Sequence, residues 1–90
     1  MSEVINVKTG SVIYKDDALN FKDTVQAAVD NDVDLSLSNM RGKDLSGLNL
    51  AGAKLNGANL ICANLTGSDC TGVEFTGANL SAAILKNATL

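Results

Sequence analysis

Large apolar residues recur at every fifth position through most of the chain: Leu35, Met40, Leu45, Leu50, Leu55, Leu60, Leu65, Cys70, Phe75, Leu80, Leu85 and Leu90. Two places before each comes a residue that is mostly small: Val33, Ser38, Lys43, Leu48, Ala53, Ala58, Ala63, Ser68, Val73, Ala78, Ala83 and Ala88. Two places after the large residue, glycine stands at 42, 47, 52, 57, 67, 72 and 77. An α-helix places apolar residues every 3.6 positions and a strand every second one. A period of five belongs to neither, so it specifies a repeat architecture.

Residues 1–32 lack the period and divide from the repeats at 33–90. Val4–Lys8 and Ser11–Lys15 are rich in β-branched residues and flank Thr9-Gly10, which predicts a hairpin. Asn20 reads as a helix N-cap with Asp23 favouring the positive end of the helix, and Asn31 as its stop. Phe21, Val25, Ala28 and Val29 share one helical face, which needs a cover. The apolar end of the first repeats supplies it, so the helix is expected to sit there as a lid.

Units such as Ala63-Asn64-Leu65-Thr66-Gly67, Ala53-Lys54-Leu55-Asn56-Gly57 and Ala78-Asn79-Leu80-Ser81-Ala82 resemble the pentapeptide-repeat family. The resemblance covers 33–90 in twelve consecutive units, the last of them short. It implies an all-β solenoid, a right-handed quadrilateral β-helix with four units per coil and so about three coils. The N-terminal hairpin and capping α-helix complete one folded unit, and the helix at Asn20–Asn31 is similar to the lid ahead of such repeats in small bacterial and phage members. Lys43 and Leu48 depart from the pattern where a small residue is expected, and Leu37, Cys62, Ala82 and Asn87 where glycine dominates.

In such a tube the large residue points inward, the small one lies beside it, and glycine supplies the positive φ of a type II corner. Residues twenty apart then stack, giving interior columns Leu35/Leu55/Phe75, Met40/Leu60/Leu80, Leu45/Leu65/Leu85 and Leu50/Cys70/Leu90. Cys70 fills a leucine site as a small hydrophobe. Outside, Asn39/Asn59/Asn79 are expected to form an amide ladder and Asp34/Lys54/Glu74 a column alternating in charge.

Candidate chemistry is sparse. There is no histidine, which removes the usual general base and an imidazole ligand. Cys62 and Cys70 have no activating partner in the sequence, so an enzyme is not expected, and no metal or cofactor site is assigned. Asp30-Asn31-Asp32-Val33-Asp34 imitates the start of a calcium loop, but the sixth place is Leu35 and the twelfth Arg41. Arg41-Gly42-Lys43-Asp44 lacks the glycine and hydroxyl residue of a phosphate loop. The N-terminus shows no basic-then-apolar leader and no stretch suits a membrane span, so the expected location is cytoplasmic. Cys62 and Cys70 read as structural thiols of a reducing compartment, while the three glycosylation sequons (at Asn64, Asn79 and Asn87) follow from the repeat itself and carry no weight without a leader.

Charge weighs on one function that the resemblance offers, inhibition or protection of DNA gyrase and topoisomerase IV by mimicry of duplex DNA. The net charge is −3, but within 33–90 Asp34, Asp44, Asp69 and Glu74 balance Arg41, Lys43, Lys54 and Lys86. A neutral tower about 14 Å tall imitates poorly a duplex with one charge per ~1.7 Å. Direct nucleic-acid binding lacks a basic stripe.

Two apolar anomalies remain. Ile61 and Ile84 occupy outward positions that are elsewhere mostly polar, beside the corner where Cys62 and Ala82 replace glycine. Phe75, Leu80, Leu85 and Leu90 would face an uncovered end. The expectation is a non-enzymatic interaction module that binds itself, as a homodimer through that end, or another protein. A topoisomerase modulator and a phage structural or accessory protein are the alternatives.

Overall fold

The computed structural model describes residues 1–90. Asn6 starts the first turn: its Oδ1 accepts from the backbone N–H of Lys8 at 2.8 Å and of Thr9 at 3.2 Å. Gly10 closes the loop at φ 74°. Strands β1 (Ser2–Ile5) and β2 (Val12–Asp16) pair antiparallel, with Val4 opposite Tyr14. The hairpin expected from Val4–Lys8 and Ser11–Lys15 therefore exists with a longer loop and an earlier first strand. The side-chain turn at Asn6 takes Val7 and Lys8 out of the ladder. These residues serve elsewhere: Val7 N–H donates to Leu37 O and Asn39 N–H to Ile5 O, both at 2.7 Å, which stitches the hairpin to the start of the repeats.

Helix α1 (Phe21–Asp30) begins where the sequence predicts, with Asn20 Oδ1 accepting from Asp23 N–H at 2.8 Å. Asn31 is its C-cap, and Asp32 takes the left-handed conformation at φ 57°. Val33 N–H reaches Ala28 O and Asp32 N–H reaches Val29 O, both at 3.0 Å, the double closure usually built around glycine. Val25 and Ala28 are buried and Phe21 and Val29 half-buried, as the apolar face requires. Thr24 is buried too, which periodicity does not foretell; its hydroxyl donates to Asp16 Oδ1 at 2.7 Å and ties the helix to β2.

From Leu35 onward the hydrogen bonds link positions about twenty apart. Leu45 N–H donates to Asn64 O and Leu65 N–H to Ile84 O, each at 2.8 Å, while Asn64 N–H returns to Lys43 O and Ile84 N–H to Ala63 O at 2.9 Å. Parallel bridges join Asn39–Asn59–Asn79, Asp44–Asn64–Ile84, Asn49–Asp69–Thr89 and Lys54–Glu74. Each circuit of twenty residues thus has four sides, here numbered from those of Leu35, Met40, Leu45 and Leu50. Corners are closed by bonds such as Ser38 N–H to Leu35 O, with positive φ at the third turn residue. Leu37, Cys62, Ala82 and Asn87 adopt that conformation without being glycine, at φ 58–66°. The repeat overrides a local preference worth roughly 1–2 kcal/mol at each.

Leu35, Met40, Leu45, Leu50, Leu55, Leu60 and Leu65 are wholly buried. α1 explains the two large residues at small positions in the first circuit. Lys43 places its ammonium 4.8 Å from the centre of the Phe21 ring. Leu48 is buried beside Asn49, whose backbone N–H and C=O both bond the Gln26 side chain, each at 2.9 Å. Gln26 thus stands in for a preceding circuit, as Ile5 and Val7 do on the second side.

Candidate interaction surfaces

Wherever Asn or Asp stands before a large apolar residue of the repeats, it has a local task. Asn39 Oδ1 accepts from Arg41 N–H, Asn59 Oδ1 from Ile61 N–H and Asn79 Oδ1 from Ser81 N–H, at 3.0–3.2 Å. The expected amide ladder is therefore replaced by a turn within each unit, because the side-chain oxygen reaches the backbone two residues on. Asp34, Asp44 and Asp69 make the same turn, and Asp44 and Asp69 also accept the hydroxyl of Ser46 and Thr71 at 2.6 Å. The side chain and backbone N–H of Ser36, Ser46 and Thr71 hold each carboxyl below its ordinary value of 3.8. Where the third circuit has Glu74 at this position, Asn56 substitutes from the circuit before. It donates to Glu74 Oε1 at 2.9 Å and accepts from Thr76 N–H at 3.0 Å. In the Asp34/Lys54/Glu74 column, Lys54 is the weakest of the influences on Asp34, so hydrogen bonds rather than alternating charge organise it.

Ile61, Cys62, Ala82 and Ile84 lie around the corner between the second and third sides. Cys62 N–H donates to Ser81 O at 2.9 Å, which sets Cys62 over Ala82, and Ile84 is bridged to Asn64 directly below Asp44. Ile84 is 50% exposed, Ile61 half-buried, and Cys62 and Ala82 exposed. Gly42 N–H donates to Ile61 O, so the exposed Arg41 and Lys43 head the same corner one circuit above. Their adjacency to Ile61 passes unnoticed when residues are read singly, although stacking by twenty places Arg41 over Ile61.

The last circuit presents the other surface. Phe75 and Leu80 are half-buried, Leu85 is 37% exposed and Leu90 75%. The N–H groups of their counterparts Leu55, Leu60, Leu65 and Cys70 donate to the next circuit, whereas those of Phe75, Leu80, Leu85 and Leu90 have no acceptor. A cleft of about 230 Å³ opens elsewhere, between the end of α1 and the start of the second circuit, lined by Val29, Asp32, Val33, Ala53 and Lys54 among others. The acidic residues gather no group of three or more that could hold a metal ion. Cys62 and Cys70 are free thiols, the first exposed and the second buried with Sγ 3.3 Å from Ser68 Oγ. No helix is long and apolar enough to cross a membrane.

A family model, pentapeptide repeats, matches residues 31–61 and 58–90 in eight copies. Among solved structures the chain is similar to the pentapeptide repeat protein Rfr23 from the cyanobacterium Cyanothece 51142. Identity is 38% and the TM-score 0.62, over 64% of this chain and 40% of that one. It is also similar to HetL from Nostoc sp. strain PCC 7120, a pentapeptide repeat protein involved in heterocyst differentiation regulation. There the identity is 31% and the TM-score 0.56, over 62% of this chain and 35% of HetL. The chain thus spans well under half the length of either relative. No curated protein matches it.

Proposed function

The chain belongs to the pentapeptide-repeat family, whose members form right-handed quadrilateral β-helices and serve as structural and protein-interaction modules, and from that premise we propose that it is a non-enzymatic protein-binding module of about three coils beneath a hairpin-and-helix cap. The observation that carries this reading is the placement of Ile61 and Ile84. Every other position equivalent to Ile84, immediately before a large column residue, is polar or charged. A side chain such as Ile84, half in solvent, adds little to the fold, while covering it on binding is worth up to ~1.5 kcal/mol. HetL, named for a regulatory role, fits a family whose members act by contact.

We propose the face of the last circuit as a second contact. On each side of the last circuit a strand N–H and a C=O point outward, as with Phe75 N–H and Val73 O around Glu74, and the corner N–H groups of Gly77, Ala82 and Asn87 are unpaired as well. Two copies related by a two-fold axis can exchange both bonds and cover Phe75, Leu80, Leu85 and Leu90 together. Light scattering coupled to size exclusion tests it: a dimer at high micromolar concentration is expected, and a monomer there removes the homodimer. We place the protein in the cytoplasm, where its free thiols suit a reducing compartment.

Replacing Ile61 and Ile84 by lysine tests the corner. The double variant is expected to melt within a few degrees of the parent and to lose partner binding. A large fall in melting temperature would show instead that both side chains are core. Modulation of gyrase or topoisomerase IV is disfavoured by the neutral repeat surface, and a supercoiling assay with purified gyrase decides it. A phage structural or accessory role would be supported by co-assembly with virion proteins.

A further inference from the structure

The reading of the 61/84 corner as a contact site can be taken one step further, and the inference that follows rests on it. We infer that this corner takes an extended protein segment carrying an acidic residue two or three places from an apolar one. The warrant is the order of chemistry down the corner. Arg41 and Lys43 flank Gly42 at its head, Ile61 and Cys62 lie one circuit below, and Ala82 and Ile84 a further circuit down. Half of the four basic residues of the repeats and the two conspicuous outward isoleucines thus share one edge. Lys22 extends the basic head, with Nζ held 3.1 Å from Ser46 Oγ. Asp44, the acid on the same edge, stays ionised with its Oδ1 turned to the N–H and hydroxyl of Ser46 and Lys22 as its nearby counter-charge, which leaves Arg41 and Lys43 in excess at the corner.

Two circuit spacings are about 10 Å, which an extended chain covers in about three residues. A carboxylate set against Arg41 and Lys43 therefore brings an apolar side chain two or three places on against Ile61 or Ile84. Charge complementarity selects the acid and desolvation selects the apolar residue. A phosphodiester backbone fits poorly, because it would set further charges on the isoleucines.

Cys62, exposed in the middle of the corner, is a built-in reporter. The probes are short peptides carrying a cysteine, a glutamate and a leucine, with analogues bearing lysine for glutamate or serine for leucine. Each is equilibrated with the intact protein in a buffer of 2-mercaptoethanol and its disulfide, where the Cys62 thiolate displaces mercaptoethanol from the peptide's mixed disulfide. Occupancy at Cys62 is read by intact mass and peptide mapping, with Cys62→Ser as the blank. The glutamate–leucine probe should exceed its lysine analogue by about two- to five-fold, the scale of an exposed charge pair. Arg41→Glu, a change at an exposed side chain, should reverse that order; Lys43→Glu is held back as a second variant because Lys43 also contacts Phe21.

Equal occupancy by the glutamate and lysine probes, or an order that Arg41→Glu leaves unchanged, overturns the acidic partner. If leucine still outperforms serine in that case, the apolar corner itself stands. If the leucine preference vanishes, the corner reading falls as well. Displacement of the glutamate probe by a DNA duplex would also overturn the inference.

Discussion

The column Leu45/Leu65/Leu85 converts the stacking into a graded loss of stability. Leu45 and Leu65 are wholly buried, with circuits or cap on both sides, whereas Leu85 keeps 37% of its surface in solvent. Truncating Leu65 to alanine removes its transfer energy and leaves a closed void, costing about 2–5 kcal/mol. Leu85→Ala removes only part of a leucine's burial and leaves no closed void, so its cost is about 1–2 kcal/mol. For a chain of this size ~1 kcal/mol moves Tm by ~4–8 °C, so Leu65→Ala should lower Tm by at least ~10 °C and Leu85→Ala by about half as much. Circular-dichroism melts at low micromolar concentration measure the difference. The same melts at hundreds of micromolar test the end contact: association raises the parent's Tm with concentration, and Leu85→Ala should suppress the rise. Equal losses from Leu65→Ala and Leu85→Ala in the dilute monomer would refute the reasoning, since both would then be equally enclosed.

Three further outcomes follow from particular contacts. Asp34, Asp44 and Asp69 have folded pKa values below 3.8, set first by the Ser or Thr hydroxyl and then by the backbone N–H. Their contribution is therefore present above the unfolded value and lost as pH falls through the lower folded one, below about pH 4. Replacing all three by Asn keeps the turn acceptor without a titration, so urea melts at pH 6 and pH 3 should differ less than in the parent; identical pH dependence would contradict this. Gly57→Ala should cost more than Gly47→Ala, because its Cβ would lie 2.7 Å from Leu37 Cδ2 while that at Gly47 meets nothing, although both have φ near 70°. Adding Leu37→Ala should cancel the excess, and a double-mutant cycle without coupling would sink the explanation. Gln26→Ala should cost about 1–2 kcal/mol for two bonds to Asn49, and hydrogen exchange at the Asn49 amide should quicken. Unchanged exchange would show that the cap does not protect that edge.

The periodic part of the fold could be read from single residues because one rule repeats. A large apolar residue every fifth place admits one stacking distance, and the bridges at twenty follow it. What escaped was contact between dissimilar parts. That the hairpin would bond the second side through Ile5 and Val7, that Thr24 would reach Asp16, and that the Gln26 amide would occupy the backbone of Asn49 depend on how two unlike pieces meet, and no period encodes that. The Asn column shows a different failure. Stacked amides suggest a ladder, yet the oxygen finds a backbone N–H two residues along at lower entropic cost, as at Asn59 and Ile61. At the candidate site, Ile61 and Ile84 stood out as apolar residues at polar positions. Arg41 and Lys43 gained meaning only from the circuit stacked beneath them.

The central claim is that backbone groups about twenty residues apart are hydrogen-bonded through the whole repeat. Scalar couplings across hydrogen bonds, recorded by NMR on isotope-labelled protein, test it atom by atom. The couplings expected join the Leu45 N–H to the Asn64 carbonyl and the Leu65 N–H to the Ile84 carbonyl, bonds of 2.8 Å. Couplings from these amides to carbonyls four residues earlier, or to any side other than the one directly below, would contradict the stacked circuits and the surfaces built on them.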